Sequence, residues 1–357
     1  MKSIEIVARH AQDAVSDLHA ESWVQVRSAD EILATLDENM CLDGVPFMPE
    51  MLAFCGRRMK VYKRAHKTCD YVTNTGMRSL PSTVHLQESR CDGSAHGRCD
   101  ARCTIYWKEA WLRPAEPEVR GPDVAESAGM APPPSLAGDA VEKLNSRCSY
   151  HDGEGKLRYR CQATEVPSFT RPLAWWQLGQ YVEDVRSGNV RTYSEMIPSF
   201  LFRAYDNLIN LGIGLGTPLR TLYNTVAKLL GGRPYPRIHG VIPAGTPTPV
   251  ERLGLQPGDL VRVKPHEVIL KTLDESARNR GMVFSAEMVP YCEQEFRVSS
   301  IVTRLIDEKN GRLIEMKTPA VILDGVICNA RYLKNLLFCP RATYPYWREI
   351  WLERVER

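Results

Sequence analysis

The chain has 357 residues, 43% of them hydrophobic and 25% charged, with a formal net charge of +3. That length allows two or three domains, each able to bury its own core. The near-balanced charge argues against a dedicated polyanion binder, and no uncharged apolar run reaches the roughly eighteen residues that a membrane span needs.

In chain order, residues 1–20 read as a polar leader. It lacks an apolar stretch and is interrupted by Glu5, Arg9, Asp13 and Asp17, unlike a secretory signal. Residues 21–114 carry several short strand patterns separated by turns. Trp23 to Val26 opens the first strand, and Ser28 with Glu31 forms a capping box for a short helix over 29–36. RRMKVYKRA and PSTVHLQ supply further strands. Residues 115–146, rich in Pro and Ala, read as an extended linker. In 147–232 a hairpin turning at Asp152–Gly155 precedes three helices. One covers 175–186, one carries Ile197, Leu201, Tyr205 and Leu208 on a stripe, and one starts at Thr217 and Pro218 with Leu219, Leu222, Tyr223, Val226 and Leu230 on its apolar face. The GIGLG string (212–216) lies between two of these helices and reads as a turn, not a dinucleotide loop. A Pro-rich connector (233–256) leads to residues 257–357.

That last segment repeats the first. Shifted by 237 positions, residues 24–91 match 261–328 at eighteen positions; after a three-residue insertion YWKEAWL (106–112) matches YWREIWL (346–352). The pattern predicts an α+β chain in which two divergent SH3-like small β-barrel repeats are joined by a helical middle domain. Cys55 and Cys292 match within apolar strings and read as core. The recurring Trp107-Lys108-Glu109-Ala110-Trp111 and Trp347-Arg348-Glu349-Ile350-Trp351 strings read as barrel-closing structure.

Eleven cysteines, an odd number in a chain with no secretory signal, predict reduced thiols and a cytoplasmic setting. Cys69, Cys91, Cys99 and Cys103 are the candidate metal ligands, because four thiolates make a closed zinc site and also suit a [4Fe-4S] cluster. Their glycine-rich, polar string RCDGSAHGRCDARC is an unusual place for buried core thiols. His85 and His96 are possible substitutes for one thiolate, and His66 lies in the same stretch. In the second copy the four positions hold Ile306, Cys328, Cys339 and Thr343, so the thiol set is complete only in the first. Cys148 and Cys161 read as two independent thiols. No P-loop, HExxH or GxSxG motif occurs, and no catalytic residue is assigned.

The strings VYKRAHKTCD, RCDGSAHGRCDARCTIYWKEAWL and FCPRATYPYWREIWLER resemble those of a group of bacterial proteins with no assigned activity. The resemblance implies a bacterial cytosolic origin and a place in specialised metabolism, and it carries no functional residue. The expected function is therefore a metalloprotein, zinc favoured over iron–sulfur, that binds or scaffolds a small molecule or protein partner. A metal- or cluster-dependent enzyme acting on a small metabolite is the alternative. A nucleic-acid module using the basic residues 57–67 is the third reading.

Overall fold

The computed structural model describes residues 18–117, 138–232, 234–236 and 239–355. Most of the expected leader and residues 118–137 of the expected linker lie outside this set. The chain is mixed α+β and its sheets are small and antiparallel. It divides into two compact units. The first runs to Arg191 and also takes in Ile306–Ile314 and Cys339–Arg341; the second holds Thr192–Leu305, Glu315–Phe338 and Ala342–Arg357.

In the first unit, β1 (Trp23–Val26) leads to helix α1 (Ala29–Leu33), whose N-cap Ser28 and Glu31 form the predicted capping box. Strands β2 (Cys41–Leu42) and β3 (Val45–Pro46) pair as a tight ribbon, and a 3₁₀ turn follows over Pro49–Phe54. Strands β4 (Arg58–Arg64), β5 (Lys67–Asp70), β6 (Gly76–Ser79), β7 (Thr83–Leu86), β8 (Trp107–Lys108) and β9 (Leu112–Pro114) complete the copy. Of these, β4, β7, β8 and β9 join β1 in a five-stranded sheet in the order β8-β7-β4-β1-β9. Its core gathers Val24, Val26, Ile32, Val61, Val84, Trp107 and Trp111.

After that copy comes helix α2 (Gly138–Arg147), where the sequence suggested the end of a linker. Burial of Leu144 gives it the tertiary anchor that composition does not reveal. The predicted hairpin is β10 (Ser149–His151) with β11 (Leu157–Tyr159), turning through Asp152 to Lys156. Helix α3 (Val166–Phe169), strand β12 (Arg171–Leu173) and helix α4 (Gly179–Arg186) follow; β12 joins β6 and β5 in a three-stranded sheet.

The second unit opens with helices α5 (Ile197–Ile209) and α6 (Gly216–Leu229), close to the predicted ranges. The apolar face expected to be buried on α6 is not: Leu222, Val226 and Leu230 are exposed. Periodicity predicts a face without predicting its cover. Strand β13 (Leu260–Val263), helix α7 (His266–Leu270), strands β14 (Arg278–Asn279) and β15 (Met282–Val283), β16 (Glu295–Ile306), β17 (Leu313–Leu323) and β18 (Leu352–Arg354) then repeat the elements of the first copy at the sequence offset. The sheet order is β17-β16-β13-β18. Its core is Val261, Val263, Ile269, Val298, Val321, Trp347 and Trp351, each the counterpart of a core residue above. Even single contacts recur. Trp111 Nε1 donates to Thr35 Oγ1 at 3.1 Å, and Trp351 Nε1 to Thr272 Oγ1 at 3.0 Å.

Candidate metal centre

Three of the basic residues in the stretch 57–67 of the first copy are paired with carboxylates. Arg64 pairs with Glu109 at 3.2 Å, Lys60 with Glu21 at 3.3 Å, and Lys67 is fully buried against Asp184 at 2.5 Å.

The cysteine-rich loop is positioned from both ends. At its start the Cys91 N–H donates to the Cys103 carbonyl at 2.9 Å, continuing the bridge between Arg90 and Thr104. Gly93 sits at φ +73°, and a β-carbon there would lie 2.2 Å from the Cys99 carbonyl oxygen, so the tight passage requires glycine. The turn brings the Ala95 N–H to Glu50 Oε1 at 3.2 Å, with Glu50 supplied by the 3₁₀ turn. His96 follows. Its Nδ1 is 2.8 Å from Glu50 Oε1, and its Nε2 is 3.4 Å from Cys91 Sγ.

Glu50, Cys91 and His96 thus present a carboxylate oxygen, a thiol and an imidazole nitrogen within 4.8 Å of one another, and they could hold a metal ion. Glu50 and His96 are almost fully buried, and Glu50 Oε2 has no hydrogen-bond partner among the described residues. A buried carboxylate oxygen left without a donor is costly unless a cation satisfies it. The group opens on a cavity of about 40 Å³, also lined by Cys103 and Cys161. That volume suits an ion or a water.

Burial raises the Cys91 thiol well above its ordinary value, with Glu50, Cys103 and Cys161 adding to the effect. Burial also pushes Cys103 up to about 12 and raises Cys161. These thiols are held protonated in the apo protein, and a metal would have to displace their protons.

Among the described residues the four predicted cysteines do not form one close ligand group, although Cys91, Cys99 and Cys103 line the same cavity. Among the described residues, only Cys91 belongs to a group of three close ligands, and its companions are Glu50 and His96. Cys69 lies at the end of β5, where its N–H donates to Cys339 Sγ at 3.2 Å. Cys99 Sγ accepts from the Ile306 N–H at 3.4 Å, and Cys103 stays at the cavity wall. Of the two possible substitutes, His96 stands in the candidate group and His85 does not. The His85 Nδ1 donates to the Ile105 carbonyl at 2.9 Å and its ring packs on Tyr106. Glu50 was missed in the sequence. Its signal was the repeat itself, because Glu287 stands at the matching place and accepts from the Tyr332 and Leu333 N–H groups. The carboxylate anchors the loop in both copies; what only the first copy adds is His96, where the second has Leu333.

Burial lowers His85 to about 3, so the folded state keeps it neutral while the unfolded chain protonates below about 6.5. The unfolded state then binds the extra proton between those values, and stability should fall as pH drops from 6.5 toward 3. One such group contributes a slope of at most about 1.4 kcal/mol per pH unit. His85→Asn keeps a donor for Ile105 and removes the titration. Urea titrations at pH 4 and 6 should give a flatter pH dependence for the variant; equal slopes would refute the assignment.

Among the described residues no helix is long and apolar enough to cross a membrane. Comparison with protein-family models, curated proteins and solved structures gives no match, so the residues themselves carry the functional reading.

Proposed function

We propose that the protein is a zinc-binding protein in which Glu50, Cys91 and His96 hold one ion, and that the first copy serves as a binding or scaffolding module for a small molecule or protein partner. On this reading the two sheets are divergent SH3-like barrels, and only the first has been given a metal corner. The observation that carries the proposal is the unpartnered, buried Glu50 Oε2 beside a thiol and an imidazole. A mixed oxygen, nitrogen and sulfur donor set suits zinc, with the fourth position left to a water or a cavity thiol. An iron–sulfur cluster would draw on thiolates alone; Cys91, Cys99, Cys103 and Cys161 line the same cavity, but among the described residues the close ligand group is the mixed Glu50, Cys91 and His96.

The order Cys91, His96, Glu50 also follows the logic of a thiol nucleophile, its base and an orienting carboxylate. Two observations weigh against that second reading: burial raises the thiol, and the cavity is too small for a substrate.

Metal analysis of the full chain, purified without added metal, should give about one zinc per chain and a colourless protein. His96→Ala and Cys91→Ser should each lower zinc affinity by about 100-fold or more, and Glu50→Gln by about 10- to 100-fold. Full zinc retention by His96→Ala would refute the site, and iron with inorganic sulfide would refute the choice of metal.

A further inference from the structure

The two copies exchange one contact reciprocally. Cys339 is the second-copy counterpart of Cys99, and Ile306 is the counterpart of Cys69. The Cys69 N–H donates to Cys339 Sγ at 3.2 Å, while the Ile306 N–H donates to Cys99 Sγ at 3.4 Å. Each copy's loop cysteine therefore caps the same strand position in the other copy, and both contacts lie within the first unit.

The two contacts differ in what surrounds them. On one side the strand position is itself a thiol, with its own backbone N–H 3.2 Å from the Cys339 sulfur. On the other it is Ile306, and Cys99 has no sulfur opposite. Beside the first pair sits Arg341, only 1% exposed, donating to the Cys69 carbonyl at 3.4 Å and to Glu308 at 3.0 Å, with its guanidinium over Tyr71. Its first-copy counterpart is Ala101. The hydrogen bond from the Cys339 thiol, helped by the Arg341 charge, brings the Cys69 thiol down to about 7 despite its burial. Cys99, without either, is pushed up by burial. A thiolate beside a fixed cation and a second thiol has the features of a reactive, oxidisable cysteine with its resolving partner.

We propose that Cys69 and Cys339 are an oxidation site: a peroxide converts them to a disulfide that joins the two copies across 270 positions of sequence. The Cys69 thiolate attacks one oxygen of hydrogen peroxide, the O–O bond breaks, and hydroxide leaves to give a sulfenic acid. The Cys339 thiolate then attacks the Cys69 sulfur, the S–O bond breaks, and a second hydroxide leaves. Each hydroxide takes up the proton that a thiol has released. Two thiols and one peroxide thus give one disulfide and two waters. Both cysteines are nearly buried, at 3% and 6% exposure, which favours an oxidant as small as peroxide over a bulky disulfide.

The test is disulfide mapping on the full chain. Reduced protein is treated with hydrogen peroxide, blocked with iodoacetamide and digested. A Cys69–Cys339 linked peptide should account for most of the oxidised Cys69 and should disappear on adding dithiothreitol. Cys339→Ser should abolish the link and leave Cys69 as a sulfenic acid that dimedone traps. Ile306→Cys should create a second link, from Cys99 to the new thiol. Cys69 found instead linked to Cys103, over-oxidised without any link, or unreacted while half-buried Cys41 and Cys55 are oxidised would overturn the proposal. The wild-type map decides the matter even where a variant fails to fold, and it does not depend on the metal group.

Discussion

Asp184→Ala should destabilise the first unit by about 3–5 kcal/mol, the range found when one partner of a buried ion pair is removed. Both Lys67 and Asp184 are fully buried, with Nζ 2.5 Å from Oδ2, and the Lys67 ammonium also faces the Tyr181 ring at 4.9 Å. Burial lowers the Lys67 value while Asp184 opposes it, so removing the carboxylate leaves an ammonium with its desolvation uncompensated. The variant should unfold roughly 10 °C lower in a thermal scan, taking about 2–4 °C per kcal/mol for a unit of this size. Replacing both partners, Lys67→Met with Asp184→Leu, should recover most of the loss, because two well-packed apolar residues carry no desolvation cost. If the single variant melts within a degree or two of wild type, the pair is not buried as described.

The second large effect is expected in the tryptophan pairs, where one copy serves as the control for the other. Trp111 and Trp351 are fully buried, make matching edge contacts with Phe47 and Phe284 at 5.4 and 5.3 Å, and bond to matching threonines. Trp111→Ala and Trp351→Ala should therefore cost similar amounts, about 3–5 kcal/mol each. Trp107 and Trp347 should part company. Trp107 Nε1 donates to Ser89 Oγ at 2.7 Å, whereas Val326 occupies the matching place and Trp347 Nε1 is buried without a partner. Trp107→Phe should be the costlier change by about 1 kcal/mol, the worth of one buried hydrogen bond. Hydrogen exchange read separately in β1 and β13 resolves the two copies; equal losses for both Phe variants would refute the distinction.

Local chemistry was legible in the sequence and long-range partnership was not. The capping box at Ser28 and Glu31, the turn at Asp152 and the helix over α5 depend on neighbours within a few residues, and the structure has them. The duplication was legible because two cores of one design keep the same residues. Lys67 looked like part of a wet basic strand, since the sequence could not reveal Asp184, 117 positions away. Cys91 and His96, both singled out in the sequence, stand in the group of described residues that could hold a metal ion. Its third ligand candidate, Glu50, comes from a different turn, and no spacing rule links it to Cys91. Cys69 and Cys99 were assigned to one ion with Cys91 and Cys103 because four thiolates make a closed metal site. Their nearest chemistry lies instead in the other copy, with Cys339 and with Ile306.

That exchange also bears on origin. In a chain with a single repeat, the bond from position 69 to the loop cysteine would be made twice across a two-fold axis, as one isologous contact of a homodimer. In a symmetric dimer both copies of the strand position must change together. Two repeats within one chain carry no such obligation, and here the strand position holds a sulfur at Cys69 and an isoleucine at Ile306.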